Sequence, residues 1–335
     1  MTVLTPVETH KVEKLEKLAR NSPATYFRTV LTATDFTPAS ERAFSFALGL
    51  ARHYGAILDI VHVLPLETVG LRAMVPVPRE MDTQLIEAEK QMKRAVTDAK
   101  AVGVTNAAIM EKGHASDVIA DVAWRYNADL LVVGTHGRSG VKKLALGSVA
   151  ESVLRLAGCP VLTVSENIPL PPSGAPEFHT ILFATDFGPS SIKAWPYALA
   201  LAREFKAQLV MLHIVPPIGV VESAPFAYEP AMYAADQIVE WREGARAKGL
   251  EHLKELIPAD VNLAHEPRIL AGAEFAPEGI LNAAKVNKAD LIVMGANPSK
   301  FAHAAAHDPW TVCHTILAEA KCPVLTVTAS EKAKR

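Results

Sequence analysis

Short apolar runs alternate along this chain with segments in which apolar residues return every third or fourth position. "TVLTAT" (29–34) has the composition of a buried strand, and Ala43, Ala47, Leu50, Ala51 and Tyr54 then recur at helical spacing. "AILDIVHVL" (56–64) is a second strand, and after a proline-rich stretch "MDTQLIEAEKQMKRAVTDAKAV" (81–102) has the pattern of a long amphipathic helix. "NAAIM" (106–110) is a weaker strand, "ASDVIADVAWRYN" (115–127) a third helix with Ser116 as its expected starting residue, and "ADLLVVG" (128–134) a fourth strand. A glycine-rich loop, one more helix and "PVLTV" (160–164) follow. Strictly alternating strands and helices predict a parallel sheet covered on both faces, and right-handed crossovers make it doubly wound.

The pattern is then repeated. Residues 29–65 align with residues 180–216 without a gap, and 18 of the 37 positions are identical. "ADLLVVG" (128–134) is answered by "ADLIVMG" (289–295), and "CPVLTV" at 159–164 by "CPVLTV" at 322–327. The expected organisation is an N-terminal extension over 1–26, partly helical through "KVEKLEKLAR", a first domain over 27–165, a linker over 166–177, a second domain over 178–328 and a tail over 329–335. The linker assignment rests on "SENIPLPPSGAPEFH" (165–179), whose four prolines and glycine continue neither helix nor sheet. The expected fold class is α/β: two doubly wound, Rossmann-like domains, each a five-stranded parallel sheet with about four helices.

Composition narrows the function. With 34 basic and 36 acidic residues the formal charge is −2, which gives no basis for general capture of nucleic acid or an anionic membrane. Three cysteines without CxxC spacing exclude a disulfide framework and a four-cysteine zinc site and fit a reducing compartment. The N-terminus lacks the apolar core of a signal peptide, and no run is long enough to span a bilayer, so the expectation is a cytoplasmic protein.

The chemistry concentrates in "GTHGRSGVKKLALGSVAESVL" (134–154). Gly134 ends a strand at the edge where parallel sheets bind ligands. Gly137 lets the backbone turn and present N–H groups, and Gly147 and Ser148 open a helix whose first amides and dipole favour an anion, phosphate above all. The spacing G-x2-G-x9-G-S differs from both the P-loop GxxxxGK[ST] and the dinucleotide GxGxxG, which argues against a P-loop kinase or a Rossmann dehydrogenase. Arg138, Lys142 and Lys143 could assist a phosphate or simply form a solvated face.

On this spacing, with "TDFTP" after the first strand, "HV" ending the second and the terminal "CPVLTV", the chain resembles a tandem universal stress protein over residues 27–165 and 178–328. The resemblance implies an ATP-binding first domain, pairing of the two domains as an intramolecular pseudo-dimer that could also extend to a homodimer, and an unknown protein partner. It also implies site residues. Ala33, Thr34 and Asp35 would line the adenosine side, with Asp35 near the adenosine or a divalent metal. Val63 would contact the adenine, and Val133, Gly134, Gly137, Gly147, Ser148 and Val149 would surround ribose and phosphates. A bare carboxylate beside a triphosphate is repulsive unless magnesium bridges them or a ribose hydroxyl intervenes, and Mg2+ is expected with ATP. Asp35 has an equally good reading as a carboxylate at the start of the following helix, and both roles could coexist. His62 and His213, at matching strand positions, read as hydrogen-bonded structural residues rather than acids or bases.

The second copy departs at the loop. "GANPSKFAHAAAHDPWTVCHTIL" (295–317) carries two extra residues, with Pro298 in place of Gly137, Trp310 in place of Gly147 and Thr311 in place of Ser148. Proline offers no N–H and tryptophan crowds the helix start, so one intact and one degenerate site are expected. Asp186 and Ile214 keep the adenosine-side residue types and leave room for a smaller or different ligand. His303 and His307 have zinc-compatible spacing, with Asp308, Cys313 and His314 near, but lack the glutamate of HExxH and read better as incidental. Three functions remain: an ATP-binding stress-response regulator; a slow ATP hydrolase or phosphotransferase, for which no arginine finger, P-loop lysine or dedicated base can be placed; and a nucleotide-free scaffold.

Overall fold

Strand β1 (Thr29–Ala33) carries three fully buried residues, Val30, Leu31 and Thr32, in its five positions, as a central parallel strand requires. The computed structural model describes residues 27–65, 79–135, 146–169, 174, 176–215, 235–297 and 309–329. After β1 come α1 (Pro38–Tyr54), β2 (Ile57–Leu64), α2 (Arg79–Ala101), β3 (Asn106–Lys112), α3 (Ala115–Arg125), β4 (Leu130–Gly134), α4 (Ser148–Leu156) and β5 (Val161–Val164). The repeat follows as β6 (Thr180–Thr185), α5 (Pro189–Glu204), β7 (Gln208–Ile214), α6 (Ala235–Glu255), β8 (Arg268–Gly272), α7 (Ala276–Val286), β9 (Leu291–Ala296), α8 (Pro309–Glu319) and β10 (Val324–Thr328).

Local signals explain the boundaries. Helix α1 begins with Thr37 as its N-cap and Pro38 in its first turn, buries Ala43, Phe46, Ala47, Leu50, Ala51 and Tyr54 along one stripe, and ends at Gly55, whose φ of 62° is the left-handed cap conformation. Helix α3 starts one residue earlier than the sequence suggests. His114 is its N-cap, because the amides of Asp117 and Val118 both donate to the His114 carbonyl, and Ser116 is buried inside the first turn with its hydroxyl against His114 Nδ1.

By its contacts the described chain divides into two units, residues 27–177 with 320–329, and residues 178–319. In the first, the strand order is β3-β2-β1-β4-β5-β10, with all neighbours parallel except β10, which runs antiparallel to β5. The two "CPVLTV" segments therefore pair with each other, and Thr163 and Thr326 each donate a hydroxyl hydrogen bond of 3.2 Å across the pair, to the Val324 and Val161 carbonyls. In the second unit the order is β9-β6-β7-β8, all parallel. Both sheets are parallel-dominated and doubly wound, since the chain leaves β1 or β6 on one side and returns on the other. That reversal, between β1 and β4 and again between β6 and β9, is where a ligand crevice opens in this architecture. Among the described residues no helix is long and apolar enough to cross a membrane.

Candidate functional site

A cavity of about 330 Å³ opens at the carboxyl ends of β1 and β4, at the reversal point of the first unit. Its volume falls in the range of small-molecule sites, roughly 300–1,000 Å³. Nine of the ten residues singled out in the sequence line it: Ala33, Thr34, Asp35, Val63, Val133, Gly134, Gly147, Ser148 and Val149. The tenth, Gly137, lies outside the described residues, as do Arg138, Lys142, Lys143, Pro298, His303, His307, Asp308 and the N-terminal extension.

Each wall has a local cause. Gly134 is a packing glycine as well as a lining one: a Cβ there would sit 2.8 Å from the Ala39 carbonyl carbon and 2.9 Å from the Ser40 nitrogen, so only glycine lets β4 approach the backbone of α1 this closely. Gly295 faces Ser190 and Ser191 in the same way in the repeat. Gly147 is the N-cap of α4 with extended backbone and no side-chain cap, held by its own N–H to the Thr135 carbonyl at 2.7 Å. Glu151 makes the first helical bond, back to Gly147, so the amides of Ser148, Val149 and Ala150 have no hydrogen-bond partner among the described residues. They belong to residues that line the cavity, at the positive end of the α4 dipole, and Ser148 is exposed.

The opposite wall is the turn from β1 into α1. Asp35 Oδ1 accepts both the Thr37 N–H (3.1 Å) and the Thr37 hydroxyl (2.6 Å), while Thr37 itself caps α1. The cap is therefore Thr37 and not Asp35, whose carboxylate braces it from two residues earlier while the residue also lines the cavity. His62 is buried and its Nδ1–H donates to the Thr34 carbonyl at 2.7 Å, the structural role expected of it. Sequence reasoning missed Ser40, Val61, His62, Pro65, Ala115, Ile119, Thr135 and Ala150 as lining residues. Ala115 and Ile119 lie four apart on α3, a spacing that marks one helix face but not which partner it meets.

The second unit carries counterparts of Asp35 and Val63 in Asp186 and Ile214. Ile214, the counterpart of Val63, sends its Cδ1 to within 2.5 Å and 2.7 Å of where Cβ atoms on Gly272 and Gly279 would be. The larger side chain is thus accommodated beside two residues that have none. Asp186 Oδ1 accepts the Gly188 N–H at 2.8 Å and the Ser191 hydroxyl at 2.5 Å, and Gly188, in the place of Thr37, leaves the helix start without a side-chain cap. Burial holds the His213 imidazole below its ordinary pKa, an effect that outweighs the Thr185 carbonyl and Asp186, which favour the charged form. Trp310 lies at the start of α8, the helix that corresponds to α4. Burial pushes the Cys313 thiol on that helix up to about 12, which makes it a poor metal ligand or nucleophile, and no group of three His, Cys, Asp or Glu residues capable of holding a metal occurs among the described residues.

The family model of the universal stress proteins matches this chain twice, over residues 26–165 and 177–328. The chain belongs to the universal stress protein family. A universal stress protein of Methanocaldococcus jannaschii is 31% identical over 158 residues, which is 45% of this chain and 89% of that protein. Universal stress protein A homolog 1 of Coxiella burnetii is 33% identical over 146 residues, 42% of this chain and 96% of the relative. Each spans about the length of one repeat. The crystal structure of a universal stress protein from Archaeoglobus fulgidus matches across both repeats, covering 90% of this chain and 99% of its own with a TM-score of 0.62, and at 17% identity it supports the fold alone.

Proposed function

We propose that this chain is an ATP-binding regulatory protein of the stress response, with one nucleotide site in the first domain (27–165) and the second domain (178–328) acting mainly as its pseudo-dimer partner. The observation that carries this reading is the cavity at the β1/β4 reversal, where a braced carboxylate on one side faces a helix start with three unspent amides on the other. Adenosine would lie against Ala33, Thr34, Asp35 and Val63. The phosphates would take the amides of Ser148, Val149 and Ala150 and the Ser148 hydroxyl. Mg2+ would reconcile Asp35 with the triphosphate charge.

Binding is favoured over turnover because the sequence places no arginine finger, no P-loop lysine and no dedicated base at the loop. The test copies the second repeat into the first. Gly147→Trp is expected to abolish ATP binding in a calorimetric titration while the protein keeps its cooperative melting transition; a variant that bound ATP as the parent does would place the site elsewhere.

A further inference from the structure

The turn that carries Asp35 contains a feature that the proposed function does not explain. Phe36 has φ of +63°, the left-handed region that a bulky side chain avoids. Three contacts hold it there. Its N–H donates to Thr34 Oγ1 at 3.0 Å, its ring lies on the His62 imidazole with centroids 4.5 Å apart and planes tilted by 34°, and that imidazole donates from Nδ1 to the Thr34 carbonyl at 2.7 Å. The Thr34 carbonyl is the group β1 leaves over at its end, since the Thr34 N–H still bonds Val61 while the chain turns away at Asp35. The same arrangement recurs in the second copy. Phe187 has φ of +56°, its N–H donates to Thr185 Oγ1 at 2.9 Å, its ring lies 4.6 Å from that of His213, and His213 Nδ1–H donates to the Thr185 carbonyl at 2.9 Å.

We infer that His62 is a positioning residue of the nucleotide site, acting with Phe36: it anchors the Thr34 carbonyl and presents a ring to Phe36, and together these hold the left-handed turn that aims the Asp35 carboxylate into the cavity. A carboxylate so held is set to accept from the ribose hydroxyls, and the pair thereby sets the preference for a ribonucleotide over its deoxy analogues. The chain of action runs from β2 through a buried imidazole to the β1–α1 turn, with no contact between Phe36 and the ligand required. The inference rests on the reading of the cavity as an ATP site.

The experiment compares ATP with 2′,3′-dideoxy-ATP, each with Mg2+, on the parent and on His62→Leu, His62→Asn and Phe36→Gly. The parent is expected to prefer ATP by about tenfold, the worth of a hydrogen bond to a charged acceptor. His62→Leu should reduce that preference to near unity. His62→Asn, whose amide N–H stands close to Nδ1 but which lacks the ring, should restore it in part. Phe36→Gly, half-buried and free to take positive φ but without the ring, should reduce it as well. Amide exchange provides a readout without nucleotide: the N–H groups of Phe36 and Thr37, which bond Thr34 Oγ1 and Asp35 Oδ1, should lose protection about tenfold in His62→Leu. A parent that binds neither nucleotide removes the cavity reading, and the ribose selectivity with it. A parent that binds ATP with its preference intact in His62→Leu, or unchanged protection of the two amides, overturns the positioning role alone.

Discussion

Asp59 sits in the middle of β2 with 3% of its surface exposed, and its carboxylate makes no hydrogen bond or ion pair among the described residues. Burial raises its pKa above the ordinary 3.8. Its counterpart in the second copy is Val210, fully buried in β7. Asp59→Val should therefore stabilise the protein, by about 1–3 kcal/mol at pH 7. The sign of the pH dependence follows from linkage. A carboxyl whose folded pKa is raised contributes its full stability below the unfolded value of 3.8 and loses it as pH rises through the folded value, so the gain from the substitution should shrink as pH falls toward and below 3.8. Denaturant unfolding of both proteins across that range measures it; a destabilised variant would mean that the carboxylate has a function in the fold. Gly134 makes the opposite case. Gly134→Ala would press a methyl group into the backbone of Ala39 and Ser40 and should cost about 1–3 kcal/mol, visible as a lower denaturation midpoint. No change would mean that β4 and α1 can separate freely at that point.

Elements were the most legible level. Every strand and helix read from the first copy is present among the described residues, because buried parallel strands and amphipathic helices have different apolar periods and the junctions carry Thr-Pro, Gly and Asn signals. Gly134 was legible as a motif glycine, and in the structure strand–helix packing requires it. What the sequence could not show are relations that arise only when elements meet. The positive φ of Phe36, the His62 bond to Thr34 and the filling of the Gly272 and Gly279 notch by Ile214 leave no periodic trace, though the repeated Thr-Asp-Phe and His pair was visible as a repeat. The antiparallel pairing of β5 with β10 joins segments about 160 residues apart in the chain. Removing residues 320–335 would uncover β5, a strand whose four residues are all buried, and leave an apolar edge. The truncated chain should associate into larger species in light scattering, and a truncated chain that stayed as dispersed as the parent would show that β5 needs no cover.

At the scale of the molecule, the duplication keeps strands and helices alike in both copies, while among the described residues the first copy opens a cavity at a helix start and in the second Ile214 lies against Gly272 and Gly279. A ligand that binds only the folded state at 100 times its dissociation constant would add about 2.7 kcal/mol to stability, so a single occupied site is enough to make the melting temperature respond to ATP. The most direct test is a calorimetric titration of the nucleotide-stripped, full-length protein with ATP and Mg2+, followed by assay of the same sample for ADP. One ATP bound per chain with negligible ADP is the predicted result. Two equivalents bound, steady formation of ADP, or no binding at all would contradict a one-site regulatory binder.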